Sequence, residues 1–158
     1  MRLGVLDVGS NTIHLQVMDA HLGARPEPAT SYKVELRLTE HLDAAGSITP
    51  QGIDLLHQAV GDSVAHAYEN QTDEILAFAT SAIRDAKNGP KIIQDINQRH
   101  QIDLQILTGD EEARMTFLAV RRWLGWSAGK LLVIDIGGGS LEIASGVDET
   151  QKQLCRCH

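Results

Sequence analysis

The stretch 131–146, LLVIDIGGGSLEIASG, restricts the fold more than any other part of the chain. Residues 131–136 are apolar apart from Asp135, the pattern of a buried strand with one acid near its end. Gly137, Gly138 and Gly139 come next, then Ser140. A return strand over 141–145 alternates, which reads as Leu141 inward, Glu142 outward and Ile143 inward. Glycine has no Cβ, so a strand–glycine turn–strand unit can reverse sharply and present backbone N–H groups to an anion. A carboxylate beside such a turn suits phosphate only if a cation stands between them. A near copy, LGVLDVGSNTIHLQV, occupies residues 3–17. Asp7 matches Asp135, Gly9 matches Gly137 and Thr12 matches Ser140. Two such turns predict two related half-sites closing on one nucleotide-like or phosphate-rich ligand.

The rest of the chain gives these turns a scaffold. Residues 2–7 and 13–19 read as the strands around the first turn, and 32–38 as a third, more exposed strand. Residues 21–30, with Gly23, Pro26 and Pro28, read as a loop. Thr49 is a good N-cap with Pro50 at the first helical position. The helix begun there runs to about residue 68, with Ile53, Leu56, Val60, Val64 and Ala67 as its apolar stripe. Gly61 inside it costs about 1 kcal/mol. Residues 74–80 form a compact strand. A helix over 81–86 is interrupted at Asn88-Gly89-Pro90 and resumes over 91–100, and 102–107 is the next strand. A helix opens at Thr108 or Gly109 and runs to about residue 124, with Ala113, Phe117, Val120 and Leu124 on one face. Asp110, Glu111 and Glu112 sit in its first turn, where the helix dipole favours acids.

Composition narrows the partners. The formal charge is −7, from 21 acids against 14 basic residues. The longest basic run is Arg121-Arg122, which argues against DNA. A polyanionic ligand would therefore need a metal and local positive groups. Asp7 interrupts the short apolar run at the N-terminus, so no leader is read there. No apolar stretch reaches the roughly 20 residues of a membrane span. The expectation is a cytoplasmic chain with no membrane partner. Cys155, Cys157 and His158 close the sequence as CRCH. They read as an unstructured end, with a metal or redox cluster as the alternative.

Four motifs occur in order: DVGSNTIH at 7–14, ATSAIRDA at 79–86, GDEEAR at 109–114 and DIGGGSLE at 135–142. Together they resemble the exopolyphosphatase and guanosine pentaphosphate phosphohydrolase (Ppx/GppA phosphatase) family, above all its shorter, actinobacterial-type members. The resemblance covers residues 1 to about 149. It implies an α/β, ribonuclease H-like fold of the actin-like ATPase domain type, within the actin, sugar kinase and Hsp70 superfamily. Residues 1–126 would be the N-terminal actin-like domain with the first phosphate-binding hairpin. Residues 127–158 would open a second domain. Family members continue further, and the ending QKQLCRCH has no counterpart among them. The expectation is a truncated or frame-shifted product, nearly inactive alone, whose residues 150–158 are mobile.

The resemblance also implies site roles. Glu112 matches the glutamate thought to polarise the attacking water, with Glu111 structural. Arg84 matches an arginine that contacts phosphate; by itself it could be a surface pair with Asp85. Asp135, with Asp7 as its counterpart, reads as the metal-side carboxylate; for either acid a turn cap is the alternative. Glu142 lies on the side of Ser140 and resembles a glutamate that helps bind metal or position water; a solvated strand acid is the alternative. Gly9, Ser10, Asn11, Gly138, Gly139 and Ser140 would wrap phosphates. The implied cofactor is Mg²⁺ or a similar divalent cation. The implied reaction is metal-assisted attack of water on a terminal phosphoanhydride of inorganic polyphosphate or guanosine pentaphosphate, in a full-length form open to homodimerisation. The alternative is a non-catalytic fragment that binds polyphosphate or a partner.

Overall fold

A computed structural model describes residues 1–21, 27–148 and 151–157, the last stretch as backbone only. The chain divides into two compact units, Met1–Ile106 and Leu107–His158.

The first unit is an α/β layer. Its strands are β1 (Arg2–Val8), β2 (Thr12–Asp19), β3 (Pro28–Glu35), β4 (Glu74–Ala79) and β5 (Leu104–Ile106). Its helices are α1 (Pro50–Glu69), α2 (Ser81–Asp85) and α3 (Gly89–His100). The sheet order is β3-β2-β1-β4-β5. The first three strands form an antiparallel meander, and β4 and β5 run parallel to β1. Parallel neighbours need a crossover, which α1 supplies before β4 and the α2–α3 pair before β5. Alternate strand residues Leu6, Val8, Ile13, Leu15, Val17, Ala77 and Ala79 are buried in one core with Leu56, Val60, Ile83, Ile92 and Ile96 of the helices.

Local chemistry explains the boundaries. Thr49 caps α1 by accepting from Gly52 N, with Pro50 in the first turn. The stripe of α1 is buried as expected at Leu56, Val60, Val64 and Ala67, with Ile53 half-buried. Asn88 bonds both backbone groups of Ile48, accepting from its N–H at 2.9 Å and donating to its carbonyl at 2.8 Å. That fixes the break between α2 and α3. Gly61 leaves room for the His100 ring, which lies 3.2 Å from where a Cβ would sit. His57, buried on α1, bonds Asp95 at 2.9 Å and His100 at 3.1 Å, both on α3. Burial first, then His57, pushes the His100 ring below its ordinary pKa.

Three expectations change here. The third strand forms at Pro28–Glu35 and not at 32–38, because the β1–β2 turn claims the next backbone groups. Asn11 O accepts from Leu36 N and Arg37 N, and Ser10 O accepts from Leu38 N. The chain then turns through a short 3₁₀ helix, Leu38–His41. Pro28 belongs to the strand, while Gly23 and Pro26 lie outside the described residues. The boundary expected after residue 126 falls after residue 106. The helix α4 (Gly109–Leu124) buries Ala113 and Phe117 against Leu131, Val133 and Ala144, and so belongs with the strands after it.

The second unit adds β6 (Leu131–Ile136), β7 (Leu141–Gly146) and β8 (Gln151–Cys157), an antiparallel sheet in that order. The ending expected to be an unstructured tail is thus a strand along most of its backbone. The side chains of Cys155 and Cys157, and all of His158, lie outside the described residues. The stripe of α4 also closes differently. Leu124 is exposed, and Arg121 takes the buried place. Its guanidinium donates to the carbonyls of Gly125, Gly129 and Gly146 and lies 5.9 Å from the centre of the Phe117 ring. Strand β6, expected to be buried, has one covered side, Leu131 and Val133, and one exposed, Leu132, Ile134 and Ile136.

Gly89 marks the tightest approach in the first unit, where a Cβ would run into the Ile83 carbonyl oxygen. Backbone on both sides leaves no flexible group to yield. Gly89→Ala is expected to lose about 1–3 kcal/mol, the usual cost of overpacking. Urea unfolding checks this, and an unchanged midpoint would show that the α2–α3 break relaxes freely.

Candidate functional site

Each unit carries one glycine turn, and the two close alike. Gly9 N donates to Thr12 O at 3.0 Å, and Gly137 N donates to Ser140 O at 2.9 Å. The pairing above each turn also corresponds: Val8 faces Ile13 and Asp7 faces His14, as Ile136 faces Leu141 and Asp135 faces Glu142. The likeness read between the two stretches is therefore a likeness of backbone bonding and register. His14 of the first unit stands where Glu142 stands in the second.

In the first unit the turn sits beyond the carboxyl ends of two parallel strands, the usual ligand position in open α/β sheets. Thr80 N donates to Val8 O at 3.1 Å, which brings the end of β4 against the end of β1. Ser10 is buried, and its hydroxyl bonds that of Ser81 at 2.8 Å. This ties the turn to the start of α2, one turn before Arg84. Arg84 is mostly buried, with Nε 3.4 Å from Asp85 Oδ1, so the pair with Asp85 is present. Asp7 is exposed, and Asn11 is exposed beside it. Of the six residues expected to wrap phosphate, Gly9 spends its N–H on closing the turn and Ser10 spends its hydroxyl on Ser81. What this turn offers an anion comes from the other groups of Ser10 and Asn11.

In the second unit the acids converge on one helix. Thr108 caps α4 by accepting from Glu111 N at 3.2 Å. The Glu111 carboxylate reaches back to Thr108 N at 2.9 Å and Thr108 Oγ1 at 2.8 Å, a reciprocal capping box. These two bonds hold its pKa below the ordinary glutamate value. Glu112 is half-buried, and its backbone N–H donates to Thr108 O. One helical turn further along the same strip stands Thr116. Its hydroxyl donates to Asp135 Oδ2 at 3.0 Å. Asp135 pairs in register with Glu142 across the β6–β7 ladder.

Glu142 is 2% exposed, which corrects the outward place that alternation gave it and removes the alternative of a solvated strand acid. The buried positions of β7 are Glu142, Ala144 and Gly146, and Ser140 before the strand is buried as well. Leu141 and Ile143 occupy the more open face. Inward-pointing acid and outward-pointing aliphatics invert the pattern that hydrophobicity suggests. Gly138 and Gly139 are exposed at the tip of the turn.

Among the described residues no group of three or more His, Cys, Asp or Glu is placed to hold a metal. Mg²⁺ needs only one or two carboxylates and takes phosphate oxygens and water for the rest. Asp135 and Glu142, neighbours on one sheet face beside the turn, fit that requirement. Thr116 and the Ser10–Ser81 bond escaped sequence reasoning. A hydroxyl residue four positions after Glu112 on a half-apolar helix was the available signal for the first.

A carboxylate whose pKa is depressed in the fold adds stability above its unfolded pKa and loses it as pH falls through the folded value. Acidification is therefore expected to fray the first turn of α4 through Glu111. Amide exchange at residues 108–112, followed downward from the ordinary glutamate range, should speed up. Glu111→Gln keeps the hydrogen-bonding shape and should remove that acid sensitivity; the same pH dependence in the variant would assign it elsewhere.

Comparison with known proteins agrees with this architecture. The family model described as Ppx/GppA phosphatase family matches residues 17–156. Exopolyphosphatase 1 of Mycobacterium tuberculosis is 53% identical over 149 residues, which covers 94% of this chain and 43% of that protein. Exopolyphosphatase 2 of the same organism is 29% identical, covering 94% of this chain and 49% of that protein. The chain thus spans less than half the length of these curated relatives. Among solved structures, an exopolyphosphatase from Cytophaga hutchinsonii superposes with a TM-score of 0.90 at 27% identity, over 99% of this chain and 50% of that one. The Aquifex aeolicus member of the Ppx/GppA family does so with 0.86 at 23% identity, over 99% and 51%, a likeness of fold.

Proposed function

The chain belongs to the Ppx/GppA phosphatase family, and we propose that it carries the base and metal-side machinery of a phosphoanhydride hydrolase acting on inorganic polyphosphate. The observation that supports this best is the placing of Glu112, Thr116, Asp135 and Glu142 in one unit, beside a glycine turn. Guanosine pentaphosphate offers the same terminal phosphoanhydride and is proposed as a second substrate. Nothing among the described residues favours one over the other. Among them, too, no helix is long and apolar enough to cross a membrane.

In this reading the oxygen of water attacks the terminal phosphorus, the bridging P–O bond breaks with its electron pair left on the oxygen of the shortened chain, and the attacked phosphorus is released as orthophosphate. Glu112 takes the proton. A carboxylate half-withdrawn from water and near an anion becomes a better base at neutral pH. Its neighbour Glu111 is already committed to the cap. In the second unit the N–H groups around Gly138–Gly139, with Ser140, are proposed to hold phosphate oxygens; in the first, Ser10 and Asn11 are proposed to do so, with Arg84 adding a fixed positive charge. Asp135 and Glu142 would hold Mg²⁺, with Asp7 as the corresponding acid of the first turn. The cation would supply charge neutralisation on the phosphate oxygens. The net charge of −7 would repel a polyanion, which supports some such neutralisation.

Phosphate release from polyphosphate, with Mg²⁺ present, tests the proposal. It should be run on this chain and on the chain joined to the remaining length of its relatives. In whichever form turns over, Glu112→Gln should lower kcat by about 10²–10⁴ with little change in KM. Glu111→Gln should cost far less. Full activity in Glu112→Gln would remove it as the base and move that role to Glu142. Turnover undiminished by excess chelator would remove the cation.

A further inference from the structure

The Thr116–Asp135 bond spans helix and strand, and its chemistry goes beyond packing. A threonine inside a helix ordinarily turns its hydroxyl back to the carbonyl four residues earlier. Here Thr116 directs it across to Asp135 Oδ2 at 3.0 Å instead. The acceptor is a carboxylate near the end of β6, one residue before its last and two before Gly137. Both groups are half-buried, so the bond is screened less than a surface contact would be. The helix beneath Thr116 is itself fixed on either side, by Ala113 and Phe117 in the unit's core and by the capping box at its start. The hydroxyl is thus a fixed point from which the carboxylate is aimed.

We infer that Thr116 is a positioning residue, whose hydroxyl holds one oxygen of Asp135 so that the carboxylate meets a divalent cation at the glycine turn already oriented. The inference rests on the reading of Asp135 as the metal-side acid. A free carboxylate must give up its rotamers when it takes a cation, whereas one already held has given them up on folding. Thr116 also stands one turn from Glu112 on the same strip of α4, so a single helix sets both the base and the metal-side acid. A group that only filled space would contribute to folding and leave cation affinity alone.

Mn²⁺ titrated into the 158-residue chain reads this directly, through paramagnetic broadening of the amide signals of residues 137–140. The unsubstituted chain should show saturable broadening, and Asp135→Asn should lose it. Thr116→Val removes the hydroxyl at nearly constant shape and should need about three- to tenfold more Mn²⁺ for half-broadening. Thr116→Ser restores the hydroxyl and should return close to the unsubstituted value. It also guards against reading a folding defect of the valine variant as lost affinity. If Asp135→Asn loses broadening while Thr116→Val matches the unsubstituted chain, the positioning role is wrong and the metal reading stands. If broadening is absent throughout, or survives Asp135→Asn, the metal reading fails and takes the inference with it. Equal weakening in Thr116→Val, which keeps the methyl, and Thr116→Ser, which keeps the hydroxyl, would show that any change at this position disturbs the site and overturn the hydroxyl's specific role.

Discussion

The bond from Gly9 N to Thr12 O, with its counterpart from Gly137 N to Ser140 O, decides where the chemistry of each unit can stand. It reverses the chain within a few residues, so the acid on the outgoing strand is brought level with a residue on the returning one. In the second unit that level pair is Asp135 and Glu142. In the first it is Asp7 and His14. The same turn also organises its surroundings. The carbonyls of Ser10 and Asn11 collect three backbone N–H groups from residues 36–38 and so end the third strand. The Ser10 hydroxyl, buried against Ser81, fastens the turn to the next helix but one. A glycine at the turn's first position is favoured because a Cβ there would come within 3.2 Å of the Thr12 carbonyl oxygen.

Much of this was legible in the sequence, for reasons of local chemistry. Thr49-Pro50 and Thr108 with Glu111 state where helices begin in terms of backbone N–H groups that need acceptors, and those signals act over four residues. The duplicate turns were visible because glycine spacing and strand periodicity are also local. The readings that failed depended on partners distant in sequence. The third strand stops at Glu35 because carbonyls at residues 10 and 11 compete for its N–H groups. The stretch 151–157 shows little apolar alternation, yet it pairs with β7 because an antiparallel neighbour with unmet backbone groups lies beside it.

The site was legible in its residue types and less so in its orientation. Periodicity placed Glu142 outward because glutamate between two aliphatics usually faces water. The fold buries it, and exposes Ile134 and Ile136 of the adjoining strand. Arg121 is a second inversion of the same kind. An arginine at the end of an amphipathic helix reads as solvated, but this one supplies donors to three carbonyls at the Gly125–Gly129 joint and above it. In both cases a polar side chain occupies an interior place because backbone or site geometry needs it there, and hydropathy carries no information about that need.

Glu111 and Glu112 show how neighbouring residues of identical chemistry acquire different surroundings. Successive helix positions are separated by about 100° of rotation. Glu111, at the third helical position, swings back to the N–H and hydroxyl of Thr108, and two donated bonds fix it as an acceptor. That same stabilisation of its charged form makes it a poor base. Glu112 is rotated onto the strip that carries Thr116, and Thr116 in turn reaches Asp135. An acid on that strip stands one helical turn from the hydroxyl that holds Asp135. The carboxylate that secures the helix and the one proposed to take a proton thus stand one step apart along the chain. The helix start must be secured first, because the position of Glu112 is only as definite as the turn that carries it.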